Sequence, residues 1–397
     1  MSQGRIIVVG ASHAGAQLCA SLRQEGWSED IVLIGDEPEP PYHRPPLSKT
    51  FLTGHASLDD LLIRAPEFYV KQGITLQTGR VTAINREAHS ITMADGSTLA
   101  YSKLALCLGA RPRRLTLPGI DLPGVHLLRT LTDINAIRAD LSVTRHAVIL
   151  GAGYIGLETA ASLRKLGIAV TVLEAAERVL ERVTAPVVSE FYARVHREEG
   201  VTLRTQCHVS AILGEQRVEG VALTSGEIIA ADLVIVGIGV VPNTELAADA
   251  GLTVDNGIVI NAQAVSSDPD IVAAGDCASF TCPRYGRQLR LESVPNAAEH
   301  AKVAAATLCG KTKHISALPW FWSDQYDLKL QIAGLNTGYD AVEVIGDPTT
   351  GRSFACLYFR EGRLIAADCI NSPQEFMRRK MALTESLLTS ASAPNPR

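Results

Sequence analysis

The chain repeats itself, and the repeat limits the folds open to it. Residues 5–36 read RIIVVGASHAGAQLCASLRQEGWSEDIVLIGD and residues 146–174 read HAVILGAGYIGLETAASLRKLGIAVTVLE. Gly10 pairs with Gly151, Gly15 with Gly156, and Ala20-Ser21-Leu22-Arg23 with Ala161-Ser162-Leu163-Arg164, all at one offset. Each copy holds an apolar run of strand length, a glycine turn, a stretch of helical period and a second apolar run closed by an acid. That order is the β-α-β unit of a doubly wound sheet. Two copies predict an α/β chain with two Rossmann-like, dinucleotide-binding domains of the same design.

Composition narrows the rest. A length of 397 residues predicts two or three domains, and 46% hydrophobic residues exclude a disordered chain. A net charge of −5 argues against a general nucleic-acid binder. The longest apolar run, residues 233–241, is strand-sized and well short of the ~18 residues of a membrane span. Residues 6–22 imitate a signal peptide, but Gly10, Ser12, His13 and Gly15 interrupt the apolar core. Cys19, Cys107, Cys207, Cys277, Cys282, Cys309, Cys356 and Cys369 show neither CxxC nor metal-ligand spacing. They read as mostly buried thiols of a cytoplasmic protein without a metal site.

Residues 74–108 alternate apolar and polar around turns at Gly79 and Asp95-Gly96, which predicts an antiparallel meander. Residues 232–239 and 257–275 read as strands returning to complete a sheet. Pro295 precedes a helix over 296–310. From about residue 315 the pattern becomes short strands at 330–333, 341–345, 354–359 and 364–371, then a helix at 372–388 and a frayed tail, 389–397.

The glycine turns carry the first chemistry. A turn of this kind lets a pyrophosphate approach the backbone, and the helix that follows offers free N–H groups and a positive dipole. The second copy has the full fingerprint, Gly151-Ala152-Gly153-Tyr154-Ile155-Gly156, with Glu174 placed to accept from an adenosine ribose. An acid there repels a 2′-phosphate and favours NADH over NADPH. Gly237, Ile238 and Gly239, closing the run at 232–239, are grouped with this site. The first copy, Gly10-Ala11-Ser12-His13-Ala14-Gly15, carries Ser12 where the backbone should come closest to phosphate. Asp36 is its ribose candidate and Glu37 the rival. One cofactor cannot fill two domains, so a flavin held by one and a nicotinamide visiting the other is the economical reading.

At this point the chain resembles the glutathione-reductase-like flavoproteins, and within them the ferredoxin reductases that serve bacterial oxygenases. The resemblance covers nearly the whole chain. It is most specific at Arg44-Pro45-Pro46-Leu47-Ser48-Lys49, Leu128-Arg129-Thr130-Leu131, Gly275-Asp276-Cys277-Ala278, Glu292-Ser293-Val294-Pro295-Asn296-Ala297 and Pro319-Trp320-Phe321-Trp322-Ser323-Asp324-Gln325. It implies an FAD domain at 1–112 and 242–314, an NAD domain at 113–241 and a C-terminal α+β domain at 315–397. Family chains usually run longer at the C-terminus, so a terminal segment is expected to be missing. The strand that ends Ala-Thr-Gly in the family ends Cys107-Leu108-Gly109 here.

Site roles follow from the resemblance. Asp276 bonds the ribityl chain of FAD, although an Asp after Gly275 also suits a helix cap. Lys49 lies near the flavin, paired with Glu158, although Lys49 alone reads as a solvated charge and Glu158 as an acid in a first helical turn. Ala14, Val81, Arg129 and Val294 contact the flavin, and Arg44, Glu292 and Trp320 join them. Val81 and Val294 would otherwise pass as core, and Trp320 with Trp322 as a packed aromatic cluster.

The implied reaction moves a hydride from NADH to FAD and then single electrons to a 2Fe-2S ferredoxin, in a monomer or weak homodimer. Ferredoxins are acidic, so a basic docking face is expected. Residues 301–397 carry eleven Lys and Arg against nine Asp and Glu, with Lys302, Lys329 and Arg378-Arg379-Lys380 as candidates. Three rivals stand beside this reading. A rubredoxin reductase shares the chemistry, and an NADH-sensing flavoprotein similar to apoptosis-inducing factor would bind without turnover. A disulfide reductase needs a redox pair, for which Cys277 and Cys282 are the poor candidates available.

Overall fold

The computed structural model describes residues 4–391, with side chains described to residue 385. The chain divides into two units. One runs to His43 and adds residues 58–111 and 241–317; the other takes 44–57, 112–240 and 318 onward.

The first unit is built on a five-stranded parallel sheet, in the order Ile271–Ala273, Lys103–Leu106, Arg5–Val9, Asp30–Gly35, Ile74–Thr78. Its inner strands are unbroken apolar runs because both faces are covered: Ile6, Ile7, Leu104 and Leu106 are fully buried. Helices His13–Gln24 and Val294–Leu308 pack on each other, and their buried faces include small residues such as Ala16, Ala20, Ala301 and Ala305.

Two expectations are corrected here. The meander is limited to Val81–Asn85, Ser90–Met93 and Thr98–Ala100, while Ile74–Thr78 and Lys103–Leu106 join the parallel sheet. Lys103–Leu106 ends in three consecutive buried residues, the mark of a strand covered on both faces rather than one. Of residues 257–275, only Ile271–Ala273 completes the main sheet. Ile258–Ile260 pairs instead with Ala278–Cys282 in a small separate sheet.

The second unit repeats the plan. Its parallel sheet runs Val201–Arg204, Ala169–Leu173, His146–Leu150, Leu233–Val236, Val125–Leu127. A three-stranded meander, Val209–Leu213, Gly220–Leu223 and Ile228–Ala230, follows the third strand of this copy as it does in the first. The repeat therefore extends well past its glycine motifs.

The same unit carries a five-stranded antiparallel sheet, ordered Trp320–Gln325, Leu328–Gly334, Arg363–Ile370, Phe354–Arg360, Ala341–Gly346. Helix Pro373–Ala391 closes it by setting Phe376 and Leu383 among Leu318, Ala333, Leu357, Ala367 and Cys369. Each large apolar side chain so buried contributes about 1.5–3 kcal/mol. The helix runs through residues 389–391, which were expected in the frayed tail; 392–397 lie outside the described residues. No described helix is long and apolar enough to cross a membrane.

Candidate functional site: two glycine cradles and a buried ion pair

The two glycine turns have the same construction. A Cβ on Gly10 would run into the Cys107 carbonyl, and one on Gly151 would stand 2.5 Å from the Gly237 oxygen. Gly15 and Gly156 sit in the first helical turn, against the carbonyls of Gly10 and Gly151. Both pairs are demanded by close packing of strand on helix. Gly153 is different: nothing lies within 4 Å of where its Cβ would be. It caps helix Tyr154–Lys165 with extended backbone and faces open space, as a phosphate cradle requires. Ser12 holds the matching N-cap position of helix His13–Gln24, and its hydroxyl makes no capping bond.

In the first unit, three segments converge. Gly275 has φ +83°, and a Cβ there would stand 3.1 Å from that of Ala14 and 3.6 Å from that of Ala297. This brings Asp276 beside the first turns of two helices. The second of them is capped by Ser293, whose hydroxyl accepts from Asn296 N at 3.3 Å. Val294 opens that helix. Two N-termini at one place favour an anion. His13 Nε2 lies 3.1 Å from His43 Nδ1, and burial lowers the His43 pKa. Val81 is buried at the start of its strand, and Glu292 forms an ion pair with Arg290 at 2.7 Å.

Strand register sets the ribose-acid candidates of the two copies at different positions. Val9 pairs with Ile34 as Leu150 pairs with Leu173. Gly35 is therefore the counterpart of Glu174, and it has no room for an acid: its Cβ would stand 2.6 Å from that of Ala11. Asp36 lies one residue beyond the strand and is exposed, while Glu37 accepts from Tyr42 Oη at 2.5 Å.

The second cradle opens on a cavity of about 660 Å³, lined by Gly151, Gly153, Tyr154, Glu174, Gly237, Ile238 and Gly239 among others. Glu174 accepts from Ala152 N at 2.6 Å and Ala176 N at 2.9 Å, which holds the acid at the mouth of the glycine turn. Ile155, Gly156 and Glu158 do not line the cavity. Sequence reasoning missed its other wall, residues 175–183, which includes Arg178, Leu180 and Arg182. Leu180 takes φ +53° and donates its N–H to Ala152 O at 3.0 Å, tying that wall to the glycine turn. No periodic signal marks such a segment.

Glu158 lies on the buried face of the same helix. Its carboxylate is 2.6 Å from Lys49 Nζ and accepts from Ser48 Oγ at 2.7 Å and Ser323 Oγ at 2.6 Å. The tight turn Pro45–Ser48 delivers Ser48 and Lys49 together, and Ser162 Oγ donates to Ser48 O at 2.6 Å. Three donors make burial of this charge tolerable. Arg44 donates to Arg129 O at 2.8 Å, so these two family motifs meet as well.

Strand alternation divides the aromatic segment. Phe321, Ser323 and Gln325 face one way: Phe321 stacks on Tyr154 at 4.7 Å, and Gln325 bonds His196 at 2.8 Å. Trp320 and Trp322 face the other, 5.6 Å apart, with Lys380 Nζ 4.5 Å above the Trp320 ring. Ser323 could be found from this alternation, once Glu158 is known to need a donor.

All eight cysteines are free. Burial raises the thiol pKa of Cys277 to about 11 and holds that of Cys107 well above its ordinary value, so neither is poised as a nucleophile.

Known proteins of this design are similar along nearly their whole length. Putidaredoxin reductase from Pseudomonas putida is 45% identical over 389 residues, covering 96% of this chain and 92% of its own. Rhodocoxin reductase from Rhodococcus erythropolis is 42% identical, covering 98% and 91%. The crystal structure of a covalent putidaredoxin reductase–putidaredoxin complex superposes with a TM-score of 0.93 at 44% identity, covering 96% of this chain and 93% of that one. The family model for the reductase C-terminal domain matches residues 320–393. With the other family model matching residues 4–301, the chain belongs to the pyridine nucleotide-disulphide oxidoreductases.

Proposed function

We propose that this protein is an NADH-dependent ferredoxin reductase, passing electrons from NADH through FAD to a 2Fe-2S ferredoxin that serves a bacterial oxygenase. The observation that carries the reading is the joining of two glycine cradles of one design to a reductase C-terminal domain. Bound FAD supplies the conversion of a two-electron donor into single electrons, which no side chain here performs.

The chain's own residues bind and orient. Gly10, Ser12, His13, Ala14 and Gly15 hold the FAD pyrophosphate, with Asp36 or Glu37 on its ribose and Asp276 on its ribityl chain. The converging helix ends suit that anion. Val81, Val294 and Glu292 complete this set, and Arg44, Lys49, Arg129 and Trp320 are the further flavin contacts that the family motifs imply. Glu174 sets the preference for NADH, since a carboxylate repels a 2′-phosphate. Lys49, fixed by Glu158, supplies a positive charge for the reduced flavin.

The disulfide-reductase reading is weakened by the buried, free Cys277 and Cys282 and by Ser48-Lys49 in the tight turn after Pro45-Pro46. Eight free thiols also support a cytoplasmic location. The test is to reduce the FAD-loaded protein with NADH anaerobically, then add 2Fe-2S ferredoxin. Rapid flavin reoxidation is expected; a reduced flavin that persists would favour the NADH-sensing reading.

A further inference from the structure

The irregular wall of the nicotinamide cavity is held from outside its own sheet. Asn336 Nδ2 donates to Val183 O at 3.0 Å, and Ala185 N donates to Tyr358 Oη at 3.1 Å. Tyr358 in turn donates to Asp368 Oδ2 at 2.5 Å. Asn336, Tyr358 and Asp368 all come from the C-terminal region, the last two on neighbouring strands of its sheet. Asp368 is fully buried, and its Oδ1 has no hydrogen-bond partner. The hydroxyls of Tyr154 and Tyr192 are likewise buried without a partner, and both feel the Asp368 charge.

We propose that Asp368 is a positioning residue for the nicotinamide dinucleotide, acting through Tyr358 and Ala185 on the cavity wall that ends two residues earlier at Val183. The inference rests on NADH occupying that cavity. Tyr358 has one proton to donate. While it goes to an ionised Asp368, the tyrosine oxygen is polarised and is the stronger acceptor for Ala185 N. Protonating Asp368 weakens both bonds and loosens the wall beside Arg182 and Val183. The carboxylate form therefore favours the bound dinucleotide.

The surroundings leave this group free to titrate. Tyr358 and Cys356 face it from the adjacent strand, Cys369 adjoins it, and Tyr154 and Tyr192 approach from two helices of the nicotinamide domain. On the other side, the paired strand places apolar Ile332 opposite. Glu158 and Arg182 act on Tyr154, and Glu158 and Asp324 on Tyr192. Burial drives the two thiols to about 12 and the three phenols well above their ordinary range. Asp368, raised by burial to about 7, is the member of this group that changes charge near neutrality.

The test is NAD+ binding to the oxidised, FAD-loaded protein by calorimetry between about pH 6 and about pH 8. The dissociation constant of the wild type should fall roughly fivefold across that range as Asp368 ionises. Asp368→Asn keeps the shape and an acceptor for Tyr358, and its affinity should vary less than about twofold. Tyr358→Phe should weaken binding roughly tenfold at the upper pH and also lose the pH dependence. A wild-type affinity independent of pH, or an Asp368→Asn profile that follows the wild type, overturns the inference. Glu174→Ala separates the two readings: if it leaves NAD+ affinity intact, the cavity assignment itself has failed.

Discussion

Lys49 Nζ lies 2.6 Å from Glu158 Oε2, and the same carboxylate takes hydrogen bonds from Ser48 and Ser323. Three separate stretches of sequence thus converge on one buried charge: the double-proline turn, helix Tyr154–Lys165 and the first strand of the C-terminal sheet.

Removing the cation should be felt twice. Lys49→Ala leaves Glu158 buried with only hydroxyl donors, which should cost about 3 kcal/mol of stability. It should also slow flavin reduction by NADH roughly tenfold or more. Glu158→Gln, whose single amide oxygen accepts from one serine while its NH2 donates to the hydroxyl oxygen of the other, should be milder in denaturant titration. Unchanged stability and reduction rate in Lys49→Ala would contradict the role given to the pair.

Glycines of one motif should respond differently to the same substitution. Gly153→Ala places its methyl in open space, so the protein should fold with an unchanged melting temperature. The methyl then stands where the pyrophosphate approaches, and the KM for NADH should rise roughly tenfold. Gly156→Ala forces a methyl into the Gly151 carbonyl and should express poorly or unfold early.

Glu174→Ala removes the acceptor held by Ala152 N and Ala176 N. Affinity for NADH should drop about tenfold, with a smaller change for NADPH. Steady-state kinetics with both nucleotides would show the ratio narrowing; an unaltered ratio would move the specificity elsewhere in the wall.

Acid should destabilise the fold through histidines kept neutral. Burial lowers His300 to about 4, and both its ring nitrogens lack partners. The unfolded chain takes up that proton near its ordinary pKa, about 6.5. Stability from this group is therefore complete above that value and is lost as pH falls from there to about 4. His300→Phe, beside Phe280, should flatten the acid limb of the melting curve over that interval.

The repeat made both parallel sheets legible, because a glycine turn between two apolar runs admits few arrangements. It did not reveal that a meander follows in each copy, since residues 209–230 carry only a weak alternation. Residues 74–78 and 103–106 were misplaced for the opposite reason: a parallel strand next to a meander shares its length and turn signals. At the site, Glu158 and Lys49 were legible only through family motifs, because a lone Lys after a proline turn reads as solvent-exposed. Ser323 and Tyr358 depend on strands that approach from far along the chain. Local alternation gives the face on which each side chain lies, but not which distant element that face meets.

The most direct test of the central claim is NADH-driven cytochrome c reduction by the FAD-loaded protein, with and without added 2Fe-2S ferredoxin. Reduction should be slow alone and should accelerate at least about tenfold with ferredoxin. Equal rates with and without ferredoxin would contradict the account.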